Sequence, residues 1–133
     1  MGIDFDRYVM TEDGVCEFRP RGESTLPEVV EVVSEAFTHC RERGIARLLI
    51  DGTGLTGVPI PSLVDRFLMA EEWAQVAKGM VVGALVIDPR YIHPQKFAVT
   101  VARDLGLMMD VFTHEAEAMR WLLSIDVAAL DSP

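Results

Sequence analysis

The hydrophobic positions of this chain follow two spacings, one of two residues and one of three to four, and each change of spacing marks a new element. In the first stretch, apolar and polar residues alternate on both sides of Asp13-Gly14, a dipeptide that favours a tight turn. This pattern predicts that the chain opens with a β-hairpin, whose apolar positions include Tyr8, Met10, Cys16 and Phe18.

From residue 25 the apolar positions recur at helical spacing, which predicts an amphipathic helix over residues 25–43. Thr25 and Glu28 have the spacing of a capping box, and Gly44 follows as a helix stop. The same kinds of signal predict three more helices. These helices cover residues 62–78, 94–105 and 113–123, and they begin with Ser62, Pro94 and Thr113.

Three short apolar segments between the helices predict strands over residues 47–51, 80–87 and 107–112. In residues 80–87 the positions that face either side of the strand are apolar, as in a central strand that helices cover on both faces. Residues 52–61 are so rich in glycine and proline that no regular structure is expected there. The predicted order is ββαβαβαβα, an α/β fold with a mixed five-stranded sheet flanked by helices.

The chain has 133 residues, which predicts a single domain over 1–133, with a core over 6–123 and a partly ordered tail over 124–133. The net charge of −9 repels phosphate backbones and anionic membrane surfaces, and the twelve Lys and Arg are scattered. Nucleic acid is therefore not an expected partner. The longest apolar run is residues 80–87, far short of the roughly twenty residues of a membrane-spanning helix, so no stable membrane insertion is expected.

The first residues and the cysteines predict a cytoplasmic protein. The N-terminal stretch is polar and acidic, without the basic and apolar regions of a secretory signal. The two cysteines, Cys16 and Cys40, have no further ligand at metal-binding spacing, and two free buried thiols are favoured.

Two segments carry a family resemblance, the strand-to-loop sequence RLLIDGTGLTG and the ending DVFTHEAEAMRWLL. Together with the element order, they resemble the STAS-like domains of the SpoIIAA-like family, over residues 6–123. These are relatives of the anti-sigma factor antagonists, and their fold is similar to that of CRAL-TRIO lipid carriers. The resemblance implies a STAS-like fold and a regulatory role through protein contacts, or a carrier role for an apolar ligand.

Anti-sigma factor antagonists are phosphorylated on a serine of an Asp-Ser-Ser-Gly segment, at the start of the helix that follows this loop. Ser62 is the residue that carries over, displaced by one place. The preceding aspartate, the second serine and the glycine are missing, so the resemblance does not imply a phosphorylation switch here.

No set of residues in the chain predicts catalysis, a metal site or a cofactor. Residues 52–57 fit G-x-G-x-x-G, but Pro59 and Pro61 delay the helix that a dinucleotide site needs, which favours a glycine-rich turn. The histidines lie far apart in sequence, and neither G-x-S-x-G nor a cysteine–histidine signature occurs. The protein is expected not to be an enzyme, although Ser62 with the glycine loop leaves a hydrolase or a nucleotide-dependent enzyme as a third hypothesis.

Open α/β sheets usually bind ligands at the carboxyl ends of their strands, which points to the space between residues 51–62 and residues 88–93. The preferred hypothesis is a non-catalytic module that acts through protein contacts as a homodimer, with residues 51–62 and the helix over 62–78 as recognition surface. The alternative is a carrier or sensor for a small apolar molecule, lined by Phe67, Trp73 and Leu85. The candidate binding residues are Asp51, Thr53, Thr56, Ser62, Phe67, Trp73 and His93.

Overall fold

The computed structural model describes residues 8–130, which form an α/β fold with a mixed five-stranded sheet flanked by four helices. The sheet order is β1-β2-β4-β6-β7, and a second sheet of two strands joins β3 to β5. The strands are β1 Val9–Met10, β2 Val15–Phe18, β3 Arg21–Glu23, β4 Arg47–Asp51, β5 Gly54–Thr56, β6 Val82–Val86 and β7 Met109–Phe112. The helices are α1 Leu26–Glu42, α2 Leu63–Ala77, α3 Phe97–Asp104 and α4 Glu115–Ser124.

The opening hairpin is confirmed, since β1 pairs antiparallel with β2 across the Asp13-Gly14 turn. The remaining neighbours in the main sheet are parallel, with Leu48 aligned on Gly83 and Gly83 on Met109. Every residue of β6 is buried, as predicted for the central strand. The carboxyl ends of β4 and β6 therefore lie side by side at one edge of the sheet.

The helices cover the sheet unequally, with α1, α2 and α3 on one face and α4 on the other. The larger core includes Phe18, Phe37 and Trp73, and the smaller core joins Leu49 to Leu122 of α4. Both predicted capping boxes are confirmed: Thr25 with Glu28 starts α1, and Ser62 with Asp65 starts α2. These boxes satisfy backbone N–H groups that a helix start otherwise leaves unpaired.

The expectation that residues 52–61 lack regular structure is wrong for Gly54–Thr56. This segment forms β5, which pairs in parallel with β3, and the Ser24 N–H extends the ladder to the Thr56 carbonyl at 3.0 Å. Gly54 allows the close approach, because a Cβ there would lie 3.1 Å from the Cβ of Arg21. Each strand has three residues, too few for an alternation pattern to be visible in the sequence.

Two predicted helix starts are also wrong. Lys96 adopts a left-handed backbone with φ of 50°, which prevents a helix that begins at Pro94, and α3 begins at Phe97. At α4 the capping position is His114 and not Thr113, without a side-chain capping bond. The first turn is held instead by Glu115, which accepts two hydrogen bonds from Arg19 at 2.7 and 2.8 Å.

Part of the predicted tail packs against the smaller core. Residues Val127–Ala129 form a short 3-10 turn, and Val127 and Leu130 contact that core. Arg47 fixes the preceding segment, because its guanidinium donates to the carbonyls of Leu122 and Ile125. Residues 6–7 of the predicted core and 131–133 of the predicted tail lie outside the described residues. None of the helices within residues 8–130 has the length and apolar character that a bilayer crossing requires.

Candidate functional site

A cavity of about 180 Å³ lies under α2, between the loops that follow β4 and β6. Its inner wall is apolar and comes from the sheet and the three helices of the larger core. Representative wall residues are Val33, Ile50, Met69, Trp73, Leu85 and Val111. The cavity thus occupies the carboxyl-end edge of a parallel sheet, where α/β folds commonly bind small molecules.

The mouth of the cavity is polar, and most of its polar groups are engaged in hydrogen bonds. The Tyr91 hydroxyl donates to the Val58 carbonyl at 2.6 Å, which ties the loop after β6 to the loop before α2. Asp88 accepts from the Arg90 backbone N–H at 3.0 Å, and the Arg90 guanidinium lies 3.7 Å from the same carboxylate. These bonds hold the two loops in position around the opening.

Arg66 provides a second guanidinium at the mouth, beside that of Arg90. Its side chain is partly buried, and Nη1 donates to the Tyr91 carbonyl at 2.8 Å. Within the described part of the chain, no carboxylate lies within 4.0 Å of this guanidinium, and no second hydrogen bond is made by it. A guanidinium carries several N–H donors, so Arg66 keeps donors that a ligand can use.

Three residues that the sequence argument placed at the site do line the cavity: Thr53, Trp73 and Leu85. Trp73 is buried and donates its indole N–H to the Val30 carbonyl at 3.1 Å, which locks its ring between α1 and α2. The Thr53 hydroxyl donates to Asp51 at 2.6 Å and is therefore occupied. The signal that located these residues was the predicted edge of the sheet.

The remaining predicted residues lie elsewhere. Phe67 is 42% exposed on the opposite side of α2, so the expectation that it lines the pocket is wrong. Ser62 is engaged in its capping box, and Thr56 lies exposed in β5. The ring nitrogen Nδ1 of His93 accepts from the Gln95 N–H at 3.2 Å, outside the cavity wall.

Asp51 belongs to a separate polar cluster at the edge of the α4 face. Burial raises the pKa of its carboxyl, but the hydrogen bonds from the Thr53 hydroxyl and backbone N–H and the nearby charge of Arg19 outweigh burial, and the pKa falls below its ordinary value. Arg19 bridges Glu17 and Glu115 in the same cluster, and the hydrogen bond to Glu115 raises the pKa of its guanidinium. The charges of the cluster pair with one another, and this ion-pair network fixes the start of α4.

A second concave feature runs along the outside of the protein, between α1 and α2. This α1–α2 groove is open, with a volume of about 1040 Å³. Apolar side chains from both helices contribute to its lining, the Ser34 hydroxyl donates to Glu72 between the helices at 3.2 Å, and within the described residues neither Lys nor Arg lines it. Six carboxylates line it, those of Glu31, Glu35, Glu42, Asp65, Glu71 and Glu72.

Beside the groove lies an exposed set of large apolar side chains, which we name the outer apolar patch. Its members come from the start of α2 and the residues before it, and their exposed fractions range from 42% to 67%. They are Ile60, Leu63, Val64, Phe67 and Leu68. A run of this kind on one helix is typical of a contact surface. The sequence showed that α2 is apolar on more than one side, but not which side is exposed.

The two cysteines, far apart in sequence, lie together in the larger core. Cys16 and Cys40 are fully buried, and the hydrogen bond with Cys16 and burial raise the pKa of the Cys40 thiol. The Tyr8 ring stacks on His39 with ring centroids 3.9 Å apart. Free buried thiols are confirmed for both residues. This end of the hairpin is a packed region, and the raised pKa makes the Cys40 thiol a poor nucleophile.

Tyr8 provides a pH test of that packing. Burial and the nearby Cys16 raise the pKa of Tyr8 to about 12, against 10.0 for an exposed tyrosine. Because the unfolded chain loses this proton first, stability is retained below pH 10 and falls between pH 10 and pH 12, by about 1 kcal/mol once solvent screening of the half-buried ring is allowed for. Urea unfolding across this range should show the loss in the wild type and a smaller loss in Tyr8→Phe. Equal losses in both proteins would contradict the burial of the hydroxyl.

No protein-family model, no curated protein and no solved structure matches this chain. Within residues 8–130, no group of three or more metal-ligating side chains converges on one point.

Proposed function

We propose that this protein is a non-catalytic interaction module, which binds a partner through the α1–α2 groove and the outer apolar patch. The observation that supports the proposal is a groove lined by apolar side chains from both helices and by six carboxylates. The patch next to the groove adds exposed apolar area on the same helix. Grooves between two helices commonly accept an amphipathic helix, which lays its apolar face on the floor.

Charge selects the kind of partner. The groove carries six carboxylates, and the whole chain has a net charge of −9. A second copy of the chain would bring like charges together across this surface, which costs free energy. A basic amphipathic helix instead pairs its Lys and Arg with the carboxylates while its apolar side chains cover Leu68 and Met69. We therefore propose a basic amphipathic helix as the occupant of the groove.

The STAS-like assignment remains a proposal that accompanies this one, whereas the homodimer is the alternative in which a second copy covers the outer apolar patch. A regulatory STAS-like module would use the same end of the molecule, where the residue 51–62 loop leads into α2. Light scattering during size-exclusion chromatography measures the subunit count directly. A dimer that dissociates on Val64→Asp would show that a second copy covers the outer apolar patch.

The proposal is tested with a synthetic helical peptide that carries Leu on one face and Lys on the other. We expect binding by fluorescence anisotropy that weakens as salt rises from low to physiological concentration. Glu31→Lys with Glu35→Lys should weaken binding by about tenfold, about 1.4 kcal/mol, because attraction becomes repulsion. Both glutamates are exposed on α1, so the fold should tolerate the change.

The matched control is Glu12→Lys with Glu117→Lys, which makes the same change in net charge at exposed positions outside the groove. This control should bind the peptide within about twofold of the wild type. An equal loss in both double variants would mean that net charge, not the groove, attracts the peptide, and would contradict the proposed site. The double variant Val64→Asp with Leu68→Asp tests how much the outer apolar patch contributes to the affinity for the same peptide.

A further inference from the structure

The cavity under α2 has an apolar body and two guanidinium groups at its mouth, those of Arg66 and Arg90, and it shares Leu26 and Met69 with the lining of the groove. The wall is formed by side chains such as Ile50, Trp73 and Leu85, whereas Arg66 lies at the end where the two loops meet. We infer that the cavity binds a small carboxylic acid with a compact apolar body, such as a single-ring aromatic acid. The ring would fill the apolar part, and the carboxylate would meet Arg66.

The size of the cavity sets the size of the apolar body. Its volume is about 180 Å³, and apolar cavities of about 150 Å³ are known to stay dry and to take up benzene. One six-membered ring therefore fits the space, whereas a long acyl chain does not. The wall consists largely of aliphatic and aromatic side chains, which give a ring the contacts that water cannot replace.

The polar groups at the mouth select an anion. The hydroxyls of Thr53 and Tyr91 already donate to Asp51 and Val58. The Arg90 guanidinium is shared between Asp88 and the face of the Tyr91 ring, with 5.1 Å to the ring centroid. Arg66 keeps open donors, and it is partly buried, where a charge-assisted bond is stronger than in open water. A planar guanidinium matches the geometry of a carboxylate.

The test uses the isolated protein with benzoate and its neutral counterpart benzamide, followed by ligand-observed NMR and thermal shift. We expect benzoate to bind, and benzamide to bind at least about tenfold more weakly, because it lacks the charge that Arg66 recognises. Arg66→Gln should lose about tenfold in benzoate affinity while leaving benzamide unchanged. Arg66→Lys, which retains the charge but not the planar guanidinium, should bind benzoate more weakly than the wild type and more tightly than Arg66→Gln.

Two control variants separate the site from general effects. Arg103→Gln removes one positive charge at an exposed position of α3 and should leave benzoate binding unchanged. Ala98→Leu places a larger side chain in the cavity wall and should abolish binding of both compounds. Because no partner peptide is present, the result is independent of the groove.

Three outcomes would overturn the inference. Equal affinity for benzoate and benzamide, unchanged by Arg66→Gln, would assign the cavity to neutral apolar molecules. Tighter binding of dodecanoate than of benzoate would assign it to lipid acyl chains. Absence of binding by any of these compounds, in protein shown to be folded by circular dichroism, would remove the cavity as a site for acids of this size.

Discussion

Replacing Gly83 by alanine is expected to destabilise the protein by about 2 kcal/mol or more, although alanine is normally preferred to glycine in a strand interior. Gly83 lies in the middle of β6, under the ring of Phe37 from α1. A Cβ at this position would lie 2.6 and 2.9 Å from two ring atoms, well inside normal contact distance. The ring is fully buried in a close-packed core, so the ring or the whole of α1 must shift away from the sheet.

Urea unfolding monitored by circular dichroism measures this loss, and Gly52→Ala is its matched control. A Cβ at Gly52 would meet its nearest atoms at 3.7 Å, an ordinary contact, so this variant should change stability by less than about 0.5 kcal/mol. Phe37→Leu should recover part of the loss in the Gly83→Ala background, because the two sites share one contact. A Gly83→Ala protein as stable as the wild type would show that α1 does not pack on β6 in this way.

Gly83 also shows what a hydrophobic pattern can and cannot predict. The run over residues 80–87 identified the central strand, because a strand buried on both faces must be apolar throughout. The pattern counted Gly83 as one more small residue of that run. Its reason for being glycine is a ring that lies 46 positions earlier in the chain, at Phe37, and no local spacing carries that information.

The helices were predictable where the sequence carries its own start signal. Thr25 and Ser62 cap α1 and α2, and each capping partner lies in the same turn. The residues that determine each helix start are therefore neighbours in the sequence. The starts of α3 and α4 depend on other segments. Lys96 reaches Asp110 of β7 at 2.9 Å, and Glu115 of α4 reaches back to Arg19. Local signals at Pro94 and Thr113 therefore predicted the wrong residues.

The sequence predicted where the candidate site lies but not which residues line it. The rule that ligands lie at the carboxyl ends of parallel strands identified the edge where the cavity is found. It could not identify Arg66, which in sequence is an ordinary charged residue of an amphipathic helix. The orientation of α2 decides that Arg66 faces the mouth and Phe67 faces outward. That orientation is set by Trp73, whose ring is held between α1 and the sheet.

Trp73→Ala is accordingly expected to cost about 3–5 kcal/mol, the largest effect of a single substitution in α2. Trp73 is 2% exposed, so its removal leaves an unfilled space in the larger core. It also leaves the Val30 carbonyl without the indole N–H. Because the new space adjoins the cavity under α2 and enlarges it, indole added to this variant should raise its melting temperature more than it does for the wild type, whose cavity of about 180 Å³ has room for a single ring.

Phe67→Ala is the matched comparison, because it removes another aromatic ring from α2, six residues before Trp73 and at an exposed position. It should change stability by less than about 1 kcal/mol. It should nevertheless lower the affinity for the basic amphipathic peptide, since Phe67 belongs to the outer apolar patch. Equal destabilisation by both substitutions would mean that the two faces of α2 are not divided as the structure has them. A stable Trp73→Ala protein without an indole response would contradict the packed position of the ring beside the cavity.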